Sequence, residues 1–271
     1  MASPASHLRM NPTSAGAAGR APEFLTRTVV VIPALNEAPC VAATVRDWRT
    51  RGAALVRVVD NGSSDATAAE ARAAGADVCA EPRRGYGAAA WAGTRRLPAQ
   101  IEWILFCSAD GSDRLDDGAA AAMAAEIGRG ALLVLGERVS RPASRRQLTP
   151  TQRFGNALCC ALIALGWGRR FHDMASWRVV RRDAFERLAL RDRAFGWNVE
   201  MQVRAVEHGL RIAEVPVDFH PRRAGESKIS GTLRGIVGAG WGILTTVGQL
   251  YATRTPRPAG VPRATVGLAR Q

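Results

Sequence analysis

Residues 28–67 read TVVVIPALNEAPCVAATVRDWRTRGAALVRVVDNGSSDAT. A β-branched run, TVVVIP at 28–33, leads into a helix-length segment over 37–51 and then a second apolar run, LVRVVD at 55–60. Both runs are short, rich in valine and closed by polar residues: Asn36 and Glu37 after the first, Asp60 through Asp65 after the second. A strand, a helix and a second strand joined by short connections form a parallel crossover unit.

The same alternation extends outward. Helices are expected over 64–75, 86–97 and 115–127, and strands over 77–80, 101–107 (IEWILFC) and 131–135. The fold class expected is α/β, a mostly parallel, Rossmann-like sheet flanked by helices. Ligands of such sheets collect at the carboxyl ends of the strands, where the strand order reverses. Beyond residue 137 the pattern is less regular. It predicts helices over 153–165, 183–190 and 197–208, a short strand over 177–180 and a strand pair over 211–219 broken at Pro216. A final uncharged, glycine-rich helix is expected over 236–251. It falls short of the roughly 20 residues of a spanning helix, so an interfacial or core-packed position is expected.

The ends differ in composition. Residues 1–27 are rich in Ala, Ser, Gly and Pro without an apolar core segment, and read as a disordered tail rather than a signal peptide. Residues 253–271, with TPRPAGVPR, read as a basic disordered tail. Between them, 28–252 is expected to be one domain in two halves, 28–137 and 138–252. The chain has 271 residues, 47% hydrophobic and 23% charged, which excludes wholesale disorder. Five cysteines without a CxxC pair fit reduced thiols in a cytosol, and the four histidines (His7, His172, His208, His220) lack zinc-ligand spacing.

Net charge is +13, and all but one of the 37 basic residues are arginine, the exception being Lys228. Phosphate-rich ligands, an anionic membrane and nucleic acid all suit that charge. Aromatic side chains interleaved with the arginines are sparse, which argues against nucleic acid. Arg145, Arg146, Arg153, Arg169 and Arg170 instead bracket an apolar stretch, ALCCALIALGW, as an anionic membrane surface would require. The expected location is cytoplasmic, peripheral on the inner face of the cell membrane.

Three strand ends carry polar clusters: Pro33 to Glu37, Asp60 to Asp65, and Ser108-Ala109-Asp110-Gly111-Ser112-Asp113. Turns and helix caps use the same residue types. Three acidic clusters at carboxyl ends also suit a nucleotide, with Glu37 and Asp60 accepting from ribose hydroxyls and base N–H groups. Asp110 could then hold a divalent cation against a diphosphate. No GxGxxG follows the first strand and no GxxxxGK[ST] occurs, which weighs against a dinucleotide oxidoreductase and excludes a P-loop.

VVVIPALNEA, VVDNGSSDAT, the Asp110 loop and SKISGT together resemble the family-two glycosyltransferases of GT-A fold. Within them the chain is most similar to the bacterial polyprenyl-phosphate branch near dolichyl-phosphate mannose synthase. The stretch GWNVEMQVRAVEHGLRIAEVPVDFHPRRAGESKISGT is the more specific to that branch. The resemblance covers about residues 28–254, and implies that 28–137 is the nucleotide-sugar half and 138–252 the acceptor half. It implies an inverting transferase that moves a hexose from a nucleoside-diphosphate sugar (GDP-mannose or UDP-glucose) to a polyprenyl phosphate, using Mg2+ or Mn2+. It implies that Pro33, Asn36, Glu37, Asp60 and Asp65 line the nucleoside pocket and that Asp110, with Ser112, holds the metal. Arg178, Arg223, Ser227 and Lys228 would surround the diphosphate and the acceptor phosphate.

Two departures stand out. Ser108 occupies a position usually acidic, which moves a metal ligand toward Asp113 or Asp173; and Ala175-Ser176-Trp177 replaces a glycine-containing turn. Asp173, ahead of a strand expected under the site, reads as functional, whereas His172 reads as packing or capping. Glu200 either lies near the sugar or pairs with Arg204 at i+4. The one lysine, in RAGESK, suits a crowded phosphate where a guanidinium fork does not fit, or is a chance survivor on a solvated loop. A catalytically silent sugar-nucleotide- or membrane-binding protein, and a transferase with a non-lipid acceptor, are the alternatives. A sugar-nucleotide-forming nucleotidyltransferase needs a glycine-rich basic loop after the first strand, which PALNEAPC does not supply.

Overall fold

A computed structural model describes residues 22–224 and 233–254. The valine-rich runs become strands: β1 (Thr28–Ala34), β2 (Leu55–Asp60), β3 (Asp77–Ala80), β4 (Trp103–Phe106), β5 (Leu133–Glu137), β6 (Arg178–Arg181) and β7 (Ile212–Pro216). They form one sheet in the order β3-β2-β1-β4-β6-β5-β7. β1 pairs in parallel with both β2 and β4, and β5 in parallel with β7; β6 alone runs antiparallel, between β4 and β5. The order therefore reverses between β1 and β4, which opens a crevice at their carboxyl ends.

Two apolar faces follow from the alternation of side chains along each strand. Val30 and Ile32 of β1 point to the face covered by α1 (Ala38–Thr50), α2 (Thr67–Ala73) and α4 (Asp117–Gly128). Val29 and Val31 point to the other. There α3 (Tyr86–Gly93), α6 (Pro150–Trp167), α7 (Arg182–Leu188), α8 (Trp197–Glu207) and α9 (Leu233–Ala252) pack around Phe106, Phe185 and Trp197. The result is a three-layer α/β/α domain. Gly93 has a steric role: a Cβ there would overlap Val31 and crowd Val59, so α3 can lie on the sheet only with glycine at that point.

Several elements differ from the sequence expectation. Residues 23–27 are not tail: Glu23–Arg27 form a 3-10 turn whose Phe24 and Leu25 are buried under the sheet. The helix α5 (Pro142–Gln147) was not expected, because PASRRQ has no apolar periodicity. The pair over 211–219 is one strand, β7, followed by a strap. In that strap Phe219 bridges Asp113, and His220 N–H donates to the Ser112 carbonyl at 3.0 Å. α6 starts at Thr149, whose hydroxyl and Gln152 make a reciprocal capping box, and stops at Gly168 in the left-handed region. Among the described residues no helix is long and apolar enough to cross a membrane.

Candidate active site

The loops after β1 and β2 are stitched together by their own polar side chains. Asn36, with φ of 52°, donates its N–H to Ser63 Oγ at 2.9 Å and accepts from Ser64 N–H at Oδ1, 2.7 Å. Asp60 accepts from Ser63 N–H at 3.0 Å. Asp65 accepts from Thr67 N–H at 3.0 Å, from the Thr67 hydroxyl, and from Ala38 N–H at 3.2 Å, tying the starts of α1 and α2 together. The residues expected to line a nucleoside pocket thus also build the turns that carry them. Pro33 lies half-buried on β1 opposite Val59.

Across the crevice, the loop after β4 folds around Asp110. Its Oδ1 accepts from Ser112 N–H at 2.9 Å and from Ser112 Oγ at 2.6 Å. Its Oδ2 meets Arg222 Nη1 at 2.8 Å, while Arg222 Nη2 reaches Glu37 Oε1 at 2.7 Å. One guanidinium thus joins the carboxylate after β1 to the carboxylate after β4. Sequence reasoning named Arg223 and missed Arg222. Two adjacent arginines on a loop carry no signal of which one turns inward. The strap decides it: Arg223 N–H donates to the Asp110 carbonyl at 3.0 Å, which sends the Arg223 side chain outward to Asp47 on α1.

Four expectations are corrected here. Asp113, expected as a replacement metal ligand, is turned inward and accepts from Ser108 N–H at 2.8 Å and Ser176 Oγ at 2.9 Å. Burial, and then the neighbouring Asp110, push its carboxyl above the ordinary range. Asp173 is spent on Arg138, through Oδ2 to Nε at 2.7 Å and Oδ1 to Nη2 at 2.8 Å, with its side chain fully enclosed. Arg178 does not line the crevice: it is wholly buried, its Nη1 donates to the Asn198 carbonyl at 3.0 Å and its Nη2 to the Ala175 carbonyl. Burial lowers that guanidinium to about 10. Glu200 neither faces the crevice nor pairs with Arg204, which turns to Glu207. It is buried and accepts from Asp192 N–H at 2.7 Å and Arg191 N–H at 2.9 Å, holding the loop before α8.

The replaced acid has a visible consequence. Ser108 Oγ lies 3.1 Å from Ser176 Oγ, so Ser108, Ser176 and Asp113 form a closed hydroxyl–carboxylate cluster where the second acid is expected. Trp177, fully buried, packs on Trp48 with ring centroids 6.4 Å apart and fills the space beside Gly136. His172 is exposed rather than packed, and meets Glu214 through its N–H at 2.8 Å and its ring Nδ1 at 3.0 Å. Ser227 and Lys228 lie outside the described residues.

Among the described residues no group of three His, Cys, Asp or Glu side chains could hold a metal by itself. The Asp110 carboxylate, braced by the Ser112 hydroxyl, and Glu37 nevertheless meet at the Arg222 guanidinium, whose Nε is buried and unpartnered. An oxygen donor set this sparse fits a hard divalent cation that takes its remaining ligands from phosphate and water.

A family model for glycosyl transferase family 2 matches residues 29–189, more than half of the chain. The chain belongs to glycosyl transferase family 2. It is 38% identical over 208 residues to an uncharacterised glycosyltransferase of Mycobacterium tuberculosis, covering 77% of this chain and 92% of the relative. It is 31% identical over 233 residues to the undecaprenyl-phosphate mannosyltransferase of Micrococcus luteus, covering 78% and 90%. Among solved structures, glucosyl-3-phosphoglycerate synthase of Mycobacterium tuberculosis, in complex with Mn2+, uridine diphosphate and phosphoglyceric acid, superposes with a TM-score of 0.65. That match is at 18% identity and covers 89% of this chain and 81% of the other. The family 2 transferase thus has the GT-A fold, and its sequence-derived family resemblance holds.

Proposed function

We propose that this family 2 glycosyltransferase moves a hexose, with inversion, from a nucleoside-diphosphate sugar to a polyprenyl phosphate at the cytoplasmic face of the membrane. The observation that carries the reading is the meeting of Glu37, Asp110 and Arg222 at the reversal of strand order, beside the loops of Asp60 and Asp65. The acceptor class is supported by the Micrococcus luteus relative and by a pocket of about 290 Å³ beside the carboxyl end of β5. That pocket is lined by Val139, Ser140, Pro142, Arg145, Arg146 and Arg153.

The chemistry asks little of a general base. The second pKa of a phosphate monoester is about 6, so its oxygen is already anionic near neutral pH. That oxygen attacks the anomeric carbon from the face opposite the diphosphate; the anomeric C–O bond breaks, and the nucleoside diphosphate leaves with the electron pair. Catalysis is positioning and charge neutralisation. Asp110, with Ser112 behind it, would hold Mg2+ or Mn2+, which supplies positive charge for the departing diphosphate. Arg222 exchanges its two carboxylates for diphosphate oxygens as donor binds, and Lys228, outside the described residues, would add a compact ammonium. Arg178, Asp173 and Glu200 act from beneath as positioning residues, because each is buried and hydrogen-bonded.

The test is transfer from labelled GDP-mannose and UDP-glucose to a short-chain polyprenyl phosphate in detergent, with and without Mn2+. Phosphoglyceric acid serves as a soluble acceptor in parallel. Label in the lipid fraction is the expected outcome. Label on phosphoglyceric acid alone selects a non-lipid acceptor, and donor binding without any transfer selects the catalytically silent alternative raised by Ser108.

A further inference from the structure

We infer that the outward faces of α6 and α9 form a docking surface for an anionic lipid bilayer. On α6, Phe154 and Leu165 are 70% and 81% exposed. They stand eleven residues apart, three helical turns, and so share one side of the helix. Ala157 and Ala161, between them, are exposed as well. The other side of the same helix gives Cys160, Ile163 and Trp167 to the core. A surface helix ordinarily turns charge outward, yet α6 has one charged residue, Arg153, in its 18. α9 repeats the pattern: Val247 and Leu250 are buried, whereas Trp241 is 73% and Leu244 43% exposed. The two helices adjoin, with Tyr251 Oη donating to the Leu162 carbonyl at 2.5 Å and its ring 4.8 Å from that of Trp167.

Charge identifies the partner. Residues 139–170 contain no Asp or Glu but hold Arg141, Arg145, Arg146, Arg153, Arg169 and Arg170. No acid follows Glu226, so α9 also lies in an acid-free stretch. Of those arginines, Arg141 is committed to Asp116 and Asp218, whereas Arg145, Arg146 and Arg153 border the pocket at the start of α6. Apolar side chains rimmed by cations complement an anionic bilayer, where each basic side chain near the surface contributes about fivefold to affinity. Two copies of this face would set like charge against like. α6 starts beside the carboxyl end of β5, on the edge of the sheet that carries Asp110, and a lipid phosphate held at that edge would come from the docked bilayer. In that respect the inference rests on the lipid-acceptor reading.

Flotation of the full chain with vesicles of phosphatidylcholine, with or without phosphatidylglycerol, tests the surface. Binding is expected only to the anionic vesicles, falling at high salt as exposed charges are screened. Leu165→Glu and Trp241→Glu should each weaken it by about tenfold, while Ala122→Glu, the same charge change on exposed α4, should not. A thermal shift with nucleoside diphosphate, unchanged in the variants, reports an intact fold and donor site. Absence of vesicle binding, or equal binding by parent and Glu variants, overturns the surface; so does a parental dimer that the Glu variants convert to monomer. Transfer in detergent without vesicles is scored separately. Transfer without docking removes the surface and keeps the acceptor, and docking without transfer does the reverse.

Discussion

At the scale of single residues, one guanidinium joins the two sides of the crevice. Arg222 touches both Glu37 and Asp110, whereas Arg223, one position on, pairs with an Asp47 that is half exposed. Arg222→Ala should lower turnover by roughly a hundredfold, the cost of removing one preorganised donor to developing charge. Arg223→Ala should leave turnover near parental, since an exposed ion pair is worth under about 1 kcal/mol. Steady-state transfer rates at saturating donor decide between them, and equal losses would show that both arginines serve the reaction. Asp113 makes a pH prediction. Its carboxyl is raised in the folded state by burial and by Asp110. Its contribution to stability is therefore full below the unfolded value of about 3.9 and is lost as pH rises through the higher folded value. Asp113→Asn does not titrate. The melting temperature of the variant should gain on the parent as pH rises from acid toward neutral; a constant difference would mean that Asp113 is unperturbed.

At the scale of elements, the ion pair of Arg138 and Asp173 joins the end of β5 to the segment before β6, and so fixes the one antiparallel strand in the sheet. Asp173 also accepts from the N–H groups of Arg138 and Met174, at 2.9 and 2.7 Å. Asp173→Ala would leave a mostly buried guanidinium and the Arg138 N–H without their acceptor, while Met174 N–H keeps Asn156 Oδ1 at 2.7 Å. A destabilisation of about 3–5 kcal/mol is expected in denaturant unfolding, as for other broken buried pairs. A loss under about 1 kcal/mol would show that water replaces the carboxylate. Element positions were legible where period and punctuation agreed: TVVVIP, LVRVVD and the helix closed at Gly209 fall where they were read. α5 and the turn of Phe24 and Leu25 were not, because neither has a repeating apolar pattern. Both owe their place to contacts with distant parts of the chain, such as Ser144 Oγ donating to the Val217 carbonyl at 3.2 Å.

At the scale of the whole molecule, the proposed function requires the loops after β1 and β2 and the loop after β4 to engage one donor, which would join the two sides of the crevice. A nucleoside diphosphate with Mn2+ should raise the melting temperature, by the equivalent of about 2.7 kcal/mol when ligand stands at a hundred times its dissociation constant. Asp110→Asn should abolish the Mn2+-dependent part of that shift while the metal-free melting temperature stays close to parental. An undiminished Mn2+ effect in the variant would move the metal elsewhere.

The amino-acid sequence by itself determined the α/β class, the register of polar clusters to strand ends and the family. All three are local: strand period, turn chemistry and short motifs are written in neighbouring residues. Tertiary structure decided which of the polar residues face the crevice. Arg178, Asp173 and Glu200 are polar by sequence and buried by packing, each satisfied by groups far along the chain or across a turn. Arg222, rather than its neighbour, reaches Asp110 because the strap after β7 pairs with the loop after β4 and fixes which way alternate side chains point. Side-chain direction on an irregular segment is set by its partner, and that partner lies more than a hundred residues away in sequence.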